Sequence, residues 1–136
     1  MNNHVTLIYI VIFIAIILFI LMQRKKMKNT TLITAQEAFE MAKDNKQVVF
    51  IDARTQQEYN HGHIKGALSG FDAFNPSTVI SKIGQLDKSK TYIIYCASGH
   101  RSVGVYKKFS AAGFENIHNL AGGFGAWKYK NLPQEK

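Results

Sequence analysis

The sequence predicts an α/β domain with a central parallel sheet, preceded by one transmembrane helix. Two observations predict this class. Residues 5–22 form a nearly continuous run of Ile, Leu, Val and Phe, and the chain after them alternates short β-branched runs with helical patterns. This alternation indicates a parallel sheet, because two parallel neighbours need a long crossover between them. Of the 136 residues, about one hundred follow the apolar run, which is enough for one hydrophobic core.

The apolar run has the length of a membrane-spanning helix. Only Thr6 and Tyr9 interrupt it, and a helix of about 20 apolar residues crosses the hydrocarbon layer. A cleaved signal peptide is the alternative, but residues 1–4 carry no Lys or Arg and no small-residue cleavage site follows the run. A buried core helix is disfavoured because no polar face breaks the pattern. We therefore expect a single-pass anchor.

Charge predicts the orientation of this anchor and the domain boundaries. Four basic residues follow the span and none precedes it: Arg24, Lys25, Lys26 and Lys28. This asymmetry favours a C-terminal domain that faces the cytoplasm from the cell membrane. The predicted boundaries are 1–23 for the anchor, 24–31 for a basic juxtamembrane linker and 32–136 for the domain. Apart from the four, the net charge of +8 leaves thirteen basic residues against nine acidic ones, so we expect no nucleic-acid partner.

The first half of the domain predicts two strands, each followed by a helix. A short β-prone piece at 31–33 precedes Thr34-Ala35-Gln36-Glu37, which has the form of a capping box and opens a helix to about Asp44. Residues 47–52, QVVFID, form a short β-branched run typical of a buried parallel strand. A second capping box, Thr55-Gln56-Gln57-Glu58, then predicts a short helical turn.

The second half continues the alternation. Residues 61–68 predict a glycine-punctuated turn leading into a short strand, and Pro76 begins a helix with Val79, Ile80 and Ile83 on one face, ending near Gly84. The remaining elements are a strand at 91–95, a helix at 101–112 capped by Gly113, a strand at 115–120 and a turn at 122–127 into a last short helix.

The strand at 91–95 runs directly into the only cysteine of the sequence, Cys96, and a helix follows. Free amide N–H groups and the positive dipole end of a helix favour the thiolate, which is the reactive form of cysteine. The alternative is an ordinary buried core cysteine. Because ligands bind at the carboxyl ends of parallel strands, where Asp52 and Arg54 also fall, we favour a nucleophilic cysteine. A single cysteine forms no internal disulfide and fits a reducing compartment.

Five motifs occur together in order and spacing. They are Asp52-Ala53-Arg54, Glu58-Tyr59, Gly62-His63-Ile64-Lys65-Gly66-Ala67, the segment Tyr95 to Ser102, and Leu120-Ala121-Gly122-Gly123 with Trp127. This set resembles the rhodanese domain over nearly everything after about Ile33. The resemblance implies a three-layer α/β domain in which a cysteine takes a sulfane sulfur from a donor, holds it as a persulfide and passes it to cyanide or a thiol. By position, Cys96 matches that cysteine and residues 97–101 match its loop.

The residues of the loop fit this chemistry. Gly99 allows the turn, and Arg101 adds a fixed positive charge at the rim, so the loop is expected to lower the thiol pKa and hold a persulfide. The arginine closes the loop as C-x4-R, whereas tyrosine phosphatases resemble C-x5-R, and a shorter loop suits a sulfur atom better than a phosphate. Residues 97–100 include no carboxylate, which suits anionic donors.

The sequence departs from the common rhodanese pattern at two positions. Ala97 replaces an arginine found in many thiosulfate-using members, which disfavours thiosulfate as the natural donor, and Lys65 replaces a frequent proline. His100 is expected either to tune the thiolate or to face solvent. The residues that resemble the structural network beneath the loop are Asp52, Arg54, Glu58 and His63. His61 and His63 lack a nearby third ligand, and Gly122-Gly123 lacks P-loop spacing, so we expect neither a metal nor a phosphate site.

These inferences predict a membrane-anchored sulfurtransferase that transfers sulfane sulfur through a persulfide on Cys96. The donor is thiosulfate, a persulfide or a polysulfide, and the acceptor is cyanide, a thiol or an acceptor protein, since the sequence offers no second thiol. No metal or organic cofactor is expected. The predicted substrate-binding residues are Ala97, Ser98, Gly99, His100, Arg101 and Ser102. The alternatives are a non-catalytic module that recruits a partner to the membrane and, less favoured, a phosphatase.

Overall fold

The computed structural model describes the backbone of residues 3–28 and 30–136 and the side chains of residues 3–22 and 32–136. The helices are α1 (Asn3–Lys28), α2 (Ala35–Ala42), α3 (Gln56–Asn60), α4 (Pro76–Ile83), α5 (Arg101–Ala111) and α6 (Gly123–Tyr129). The strands are β1 (Thr30–Ile33), β2 (Val48–Asp52), β3 (His63–Ile64), β4 (Thr91–Tyr95), β5 (Ile117–Leu120) and β6 (Gln134–Glu135).

The apolar N-terminal run is one long helix. Within α1, the 20-residue stretch Asn3–Met22 is long and apolar enough to cross a membrane, and none of it is buried against the domain. Membrane anchors and signal sequences share this length and composition. The predicted basic flank, Arg24, Lys25, Lys26 and Lys28, has side chains outside the described residues.

The predicted parallel sheet is confirmed. Four strands lie in the order β1-β5-β4-β2, and every neighbouring pair is parallel. The register pairs Asp52 at the end of β2 with Tyr95 at the end of β4. The carboxyl ends of these two strands therefore meet at one edge of the sheet, and the residues that follow them, Ala53-Arg54 and Cys96, start from adjacent positions.

The two predicted capping boxes form as the sequence indicates. The Thr34 side chain accepts from the Glu37 amide, and the Thr55 side chain accepts from the Glu58 amide, each at 3.2 Å. Each glutamate reaches back to the backbone N–H of its own threonine. Helix α2 ends at Ala42, two residues before the predicted end, because Asp44 adopts a left-handed conformation with φ of 54° that ends helical bonding.

Helices cover both faces of the sheet, so the domain has three layers. Ile93 and Tyr95 point to one face, where they pack with α2 and α6 around Trp127, while Tyr92 and Ile94 point to the other, beneath α4 and α5. Residues on a strand alternate between faces, which gives one sheet two hydrophobic cores. Ile80 was predicted on the buried face of α4 but is 60% exposed, because α4 packs through the i, i+4 pair Val79 and Ile83.

A second, two-stranded sheet closes the end of the chain. The segment at 61–68 contains β3, and Leu68 adds a single parallel bridge to Ile51. Strand β3 pairs antiparallel with β6, with His63 opposite Glu135. The sequence did not predict β6, because two polar residues show no alternation. The Trp127 indole N–H donates to the Pro133 carbonyl at 2.9 Å, which fixes the approach of this segment.

Candidate active site

Cys96 lies at the point where β4 gives way to the loop before α5. The residue is fully buried, and its sulfur accepts a hydrogen bond from the backbone N–H of Gly99 at 3.1 Å. Of the other loop residues, Ala97, Ser98 and His100 are exposed and Ser102 is buried. Of the six predicted binding residues, Ser98, Gly99 and Ser102 act on the sulfur through backbone amides or a hydroxyl, while the side chains of Ala97 and His100 are exposed.

The loop favours the ionised form of this thiol. Burial acts to raise the pKa of Cys96, but contacts with the Ser102 hydroxyl and with the backbone amides of Ser102, Ser98 and Gly99 outweigh it, so the pKa lies below its usual value. The Gly99 contact has the geometry of a hydrogen bond. The Ser102 hydroxyl is near enough to lower the pKa of the thiol, but it is buried and makes no hydrogen bond to a described residue. It is therefore a buried donor still available to a charged sulfur.

Glycine backbones hold the loop against the start of α6. Gly99 has a φ of 97°, and a side chain there would lie 3.3 Å from the Leu120 carbonyl oxygen and from the Gly122 nitrogen. The amide of Phe124 donates to the Cys96 carbonyl at 2.8 Å, and that of Gly125 donates to the Ala97 carbonyl at 3.0 Å. The Gly122-Gly123 turn was predicted only as a tight connection. It also positions the two amides that fix the first residues of the loop.

Side chains complete the support of the loop. The Asn119 side-chain amide on β5 donates to the Gly99 carbonyl at 3.2 Å. The Ser98 hydroxyl and the His100 Nδ1 lie 3.1 Å apart. His100 is exposed, so its imidazole lies on the solvent side of the loop rather than beneath the sulfur. Asn119 was missed at the sequence level, because a polar residue inside a strand gives no signal of the backbone it will meet.

Arg101 is braced by an ion pair across the site. Its two terminal nitrogens contact the two carboxylate oxygens of Glu58 at 2.7 and 2.8 Å, and its guanidinium lies 5.6 Å from the ring centre of Phe74. The pair lowers the pKa of Glu58 to about 2, chiefly through the hydrogen bonds from Arg101. Glu58, predicted as part of a structural network beneath the loop, fixes the residue that ends the loop. Phe74, 68% exposed, was not predicted.

The predicted structural network of Asp52 and Arg54 is present. Asp52 and Arg54 are buried and paired at 2.8 Å, and Arg54 also donates to the Gly62 carbonyl at 2.7 Å. The Tyr95 hydroxyl donates to Asp52 at 2.6 Å and accepts from the Ile64 amide, and burial raises the pKa of Tyr95 above its usual range. The sequence analysis gave Tyr95 as a strand residue and as the start of the cysteine motif, without a partner for its hydroxyl. A buried ion pair needs such additional hydrogen bonds to satisfy its remaining valences.

The two histidines after α3 are occupied by protein groups. The His63 ring stacks on Tyr59 with centres 3.6 Å apart, and its Nε2 lies 3.4 Å from the Glu135 carboxylate. The His61 Nδ1 lies 2.7 Å from the Gln57 carbonyl oxygen. In the part of the chain that the structure describes, no group of three possible metal ligands occurs.

The fold and the site together define an α/β domain with a cysteine loop at the carboxyl edge of a parallel sheet. The family model for the rhodanese-like domain matches residues 34–130. The chain is 31% identical over 86 residues to the thiosulfate sulfurtransferase GlpE of Shewanella oneidensis, an alignment covering 63% of this chain and 81% of that protein. The chain belongs to the rhodanese-like domain family.

Solved structures share the fold. A rhodanese-related protein from Thermoplasma volcanium superimposes with a TM-score of 0.66 at 25% identity, covering 77% of this chain and 97% of that one. A protein of unknown function from Rhodopseudomonas palustris, described as a possible tyrosine phosphatase, gives a TM-score of 0.67 at 27% identity, covering 82% and 89%. These likenesses support the fold, and the match to a named thiosulfate sulfurtransferase supports sulfur transfer at the level of the family.

Proposed function

We propose that this chain is a membrane-anchored sulfurtransferase that carries sulfane sulfur on Cys96. The observation that carries the proposal is the hydrogen bond from the Gly99 amide to the Cys96 sulfur, within a loop that lowers the pKa of the thiol. The thiolate is the nucleophilic form of cysteine. A buried thiol with amide donors around it is therefore prepared both to attack a sulfur atom and to hold the anion that results.

The loading step moves one sulfur atom from the donor to Cys96 and needs no external oxidant or reductant. The Cys96 thiolate attacks the sulfane sulfur of the donor, a new S–S bond forms, and the bond from that sulfur to its former partner breaks. With thiosulfate the leaving group is sulfite, and with a persulfide or polysulfide it is a thiolate or a shorter polysulfide. The outer sulfur then carries the negative charge, which the loop amides and the Ser102 hydroxyl stabilise.

The discharge step reverses this chemistry on an acceptor. A thiolate or cyanide attacks the outer sulfur, a bond to the acceptor forms, and the bond to Cys96 breaks, so the cysteine leaves as a thiolate. Arg101, held by Glu58, fixes the end of the loop during both steps. Ala97 is exposed and apolar at the mouth of the loop, where many thiosulfate-using relatives have arginine, so we expect persulfide or polysulfide donors to be used faster than thiosulfate.

Intact-mass measurement tests the proposal directly. The full chain is incubated with thiosulfate, with a polysulfide and with a small-molecule persulfide. Because the sequence has one cysteine, we expect an added mass of one sulfur atom that cyanide removes and that Cys96→Ser lacks. A folded chain that forms no such adduct with any of the three donors would instead favour the non-catalytic recruiting module. Hydrolysis of an aryl phosphate that depends on Cys96 would favour the phosphatase, and we expect none.

We further propose that α1 is a single-pass anchor and that the domain faces the cytoplasm. The support is the 20-residue apolar stretch Asn3–Met22 and the four basic residues that follow it in the sequence. Because Cys96 is buried, the test uses Lys130→Cys, an exposed position, in the Cys96→Ser background. A membrane-impermeant thiol reagent should label this variant only after the cells are permeabilised. Labelling in intact cells would contradict the orientation, and a chain that stays soluble after lysis would contradict the anchor.

A further inference from the structure

A cleft of about 300 Å³, lined in part by residues of α3 and α6, takes no part in the chemistry proposed above. The lining side chains used here are Arg54, Gln57, Glu58, His61, Phe124 and Lys128. Two of them connect directly to the loop, because Glu58 holds Arg101 and the Phe124 amide donates to the Cys96 carbonyl. The cleft and the cysteine loop therefore share their supporting residues.

The cleft contains a buried cation with one nitrogen uncommitted. The Arg54 side chain is 6% exposed, and its Nε and Nη2 atoms bond to Asp52 and to the Gly62 carbonyl. Its Nη1 makes no hydrogen bond to a described residue, and the Tyr95 hydroxyl also lies near the guanidinium. A guanidinium presents donors in a fixed plane that matches a carboxylate. The free edge of Arg54 is thus a built donor for an anionic group in the cleft.

A second cation stands at the rim of the same cleft. Lys128 is exposed, and its ammonium lies 5.1 Å from the ring centre of Phe124. The Arg54 guanidinium lies 4.5 Å from the same ring. Both cations therefore border one aromatic side chain, which offers an apolar surface to the rest of a ligand.

The two carboxylates near the cleft already have cationic partners. Asp52 is paired with Arg54, and both oxygens of Glu58 accept from Arg101, with one also accepting from Thr55. Lys128 has no carboxylate partner among the described residues. One positive charge is therefore left in excess at the cleft, which favours an anion over a cation or a neutral ligand.

From this arrangement we infer that the cleft binds the carboxylate of a small thiol or persulfide that exchanges sulfur with Cys96. The inference rests on the proposed function and names its substrate class. The carboxylate lies against Arg54 and Lys128, the aliphatic part lies on Phe124, and the sulfur extends toward the cysteine loop. In discharge, the ligand's thiolate attacks the outer sulfur of the persulfide, and the new carboxylate-bearing persulfide departs as Cys96 regains its thiolate.

A series of acceptors measures both the charge preference and the reach of the cleft. The full chain, loaded with sulfur and freed of donor, is mixed with mercaptoalkanoates from mercaptopropionate to mercaptooctanoate and with the matching amides. We expect carboxylates to react about five-fold faster than their amides at the best chain length, as one partly exposed charge contact allows. Comparing each ratio between variants cancels the intrinsic reactivity of the thiols.

Substitutions at the rim separate this cleft from general surface charge. Lys128→Gln should reduce the carboxylate preference about three-fold, and Gln57→Glu, which adds a negative charge to the lining, should reduce it by a similar factor. Lys130→Gln removes the same charge from an exposed position two residues along the chain, outside the cleft lining, and should leave the ratio unchanged. Arg54 is left intact because Asp52 depends on it. Equal carboxylate-to-amide ratios in the wild type, Lys128→Gln and Gln57→Glu would overturn the inference.

A binding measurement keeps this inference separate from the proposed function. The S-methyl thioether of the best carboxylate accepts no sulfur, and its binding to the full chain is followed by ligand-observed NMR. We expect saturable binding that weakens about three-fold in Lys128→Gln and is unchanged in Lys130→Gln. Absence of binding, or equal binding in the two variants, would refute the cleft. Failure of Cys96 to load any sulfur would refute only the proposed function.

Discussion

Gly123, at the turn that supports the cysteine loop, is enclosed by backbone atoms. A methyl group added there would lie 2.3 Å from the Cys96 carbonyl oxygen and 2.8 Å from the carbonyl carbon of Ala97. Those atoms belong to the backbone that carries the thiol, so no flexible side chain can move aside. Gly123 also has a φ of 56°, a conformation that costs an alanine about 1–2 kcal/mol. Gly123→Ala is therefore expected to carry both a conformational and a steric cost.

Gly66 supplies a matched control for the conformational part. It has a φ of 78°, and a methyl group there would meet nothing within 4 Å. Gly66→Ala should therefore lose only the conformational term of about 1–2 kcal/mol. Displacing a packed backbone adds about 1–3 kcal/mol, as in overpacked cores, so we expect Gly123→Ala to be about 2–5 kcal/mol less stable than the wild type.

Urea unfolding of the detergent-solubilised full chain measures the difference, with the fluorescence of the single, buried Trp127 as the probe. With an m-value of about 1–3 kcal/mol per molar, the two alanine variants should differ in midpoint by about 1 M. Moving the Cys96 carbonyl also shifts the loop, so the thiol pKa should rise in Gly123→Ala and stay constant in Gly66→Ala. Equal midpoints and equal thiol pKa values for the two variants would refute the assignment of Gly123 as a support of the loop.

Three further outcomes are expected. Glu58→Gln retains the helix cap but removes the ion pair, and it should lower the free energy of unfolding by about 1 kcal/mol at neutral pH because the pair is partly exposed. Since the pKa of Glu58 is lowered to about 2, this difference in stability should be complete above pH 4.5 and vanish as the pH falls through 2. Tyr95→Phe leaves Asp52 without its 2.6 Å hydrogen bond, and thermal unfolding should show a loss of about 1–3 kcal/mol; an unchanged melting temperature would contradict this. The rate of Cys96 alkylation by a small reagent should rise with pH to a midpoint below that of an unperturbed cysteine thiol. Ser102→Ala should move that midpoint upward, whereas an unmoved midpoint would show that the hydroxyl does not act on the sulfur.

Local patterns in the sequence predicted most of the fold, because they depend on neighbours in the chain. The capping boxes at Thr34 and Thr55 form as written, and the β-branched runs at 47–52 and 91–95 become the two strands that bring Asp52 and Cys96 to one edge. The apolar run at 5–22 likewise lies within one helix, α1. Alternation of strands and helices was sufficient to predict a parallel sheet, whereas the three-layer arrangement was expected from the resemblance to the rhodanese domain.

The length of the cysteine loop and the order of its residues could also be predicted from the sequence, because they depend only on neighbours in the chain. The sequence placed the single thiol at a strand end before a glycine and an arginine, and the structure confirms that position for Cys96. The glycine at 99 adopts the left-handed conformation that the turn required.

The tertiary structure alone decided which groups meet across the site. Glu58 and Arg101 are 43 residues apart in the chain, and no spacing rule links them. The contact of Asn119 with the Gly99 carbonyl depends likewise on strand register. Side-chain periodicity describes one element at a time, whereas these contacts arise from the packing of two.

The cleft lined by α3 and α6 shows most clearly what the sequence could not predict. The sequence analysis placed Arg54 in the structural network beneath the loop and gave Lys128 no role. Lys128 lies one helical turn from Phe124 on α6, whereas only the tertiary fold brings Arg54 to the same ring and leaves one charge in excess. The sequence by itself thus determined the kind of domain and its thiol, because both are encoded in local pattern. The tertiary structure decided what braces that thiol and what lies next to it, because long-range packing sets those distances.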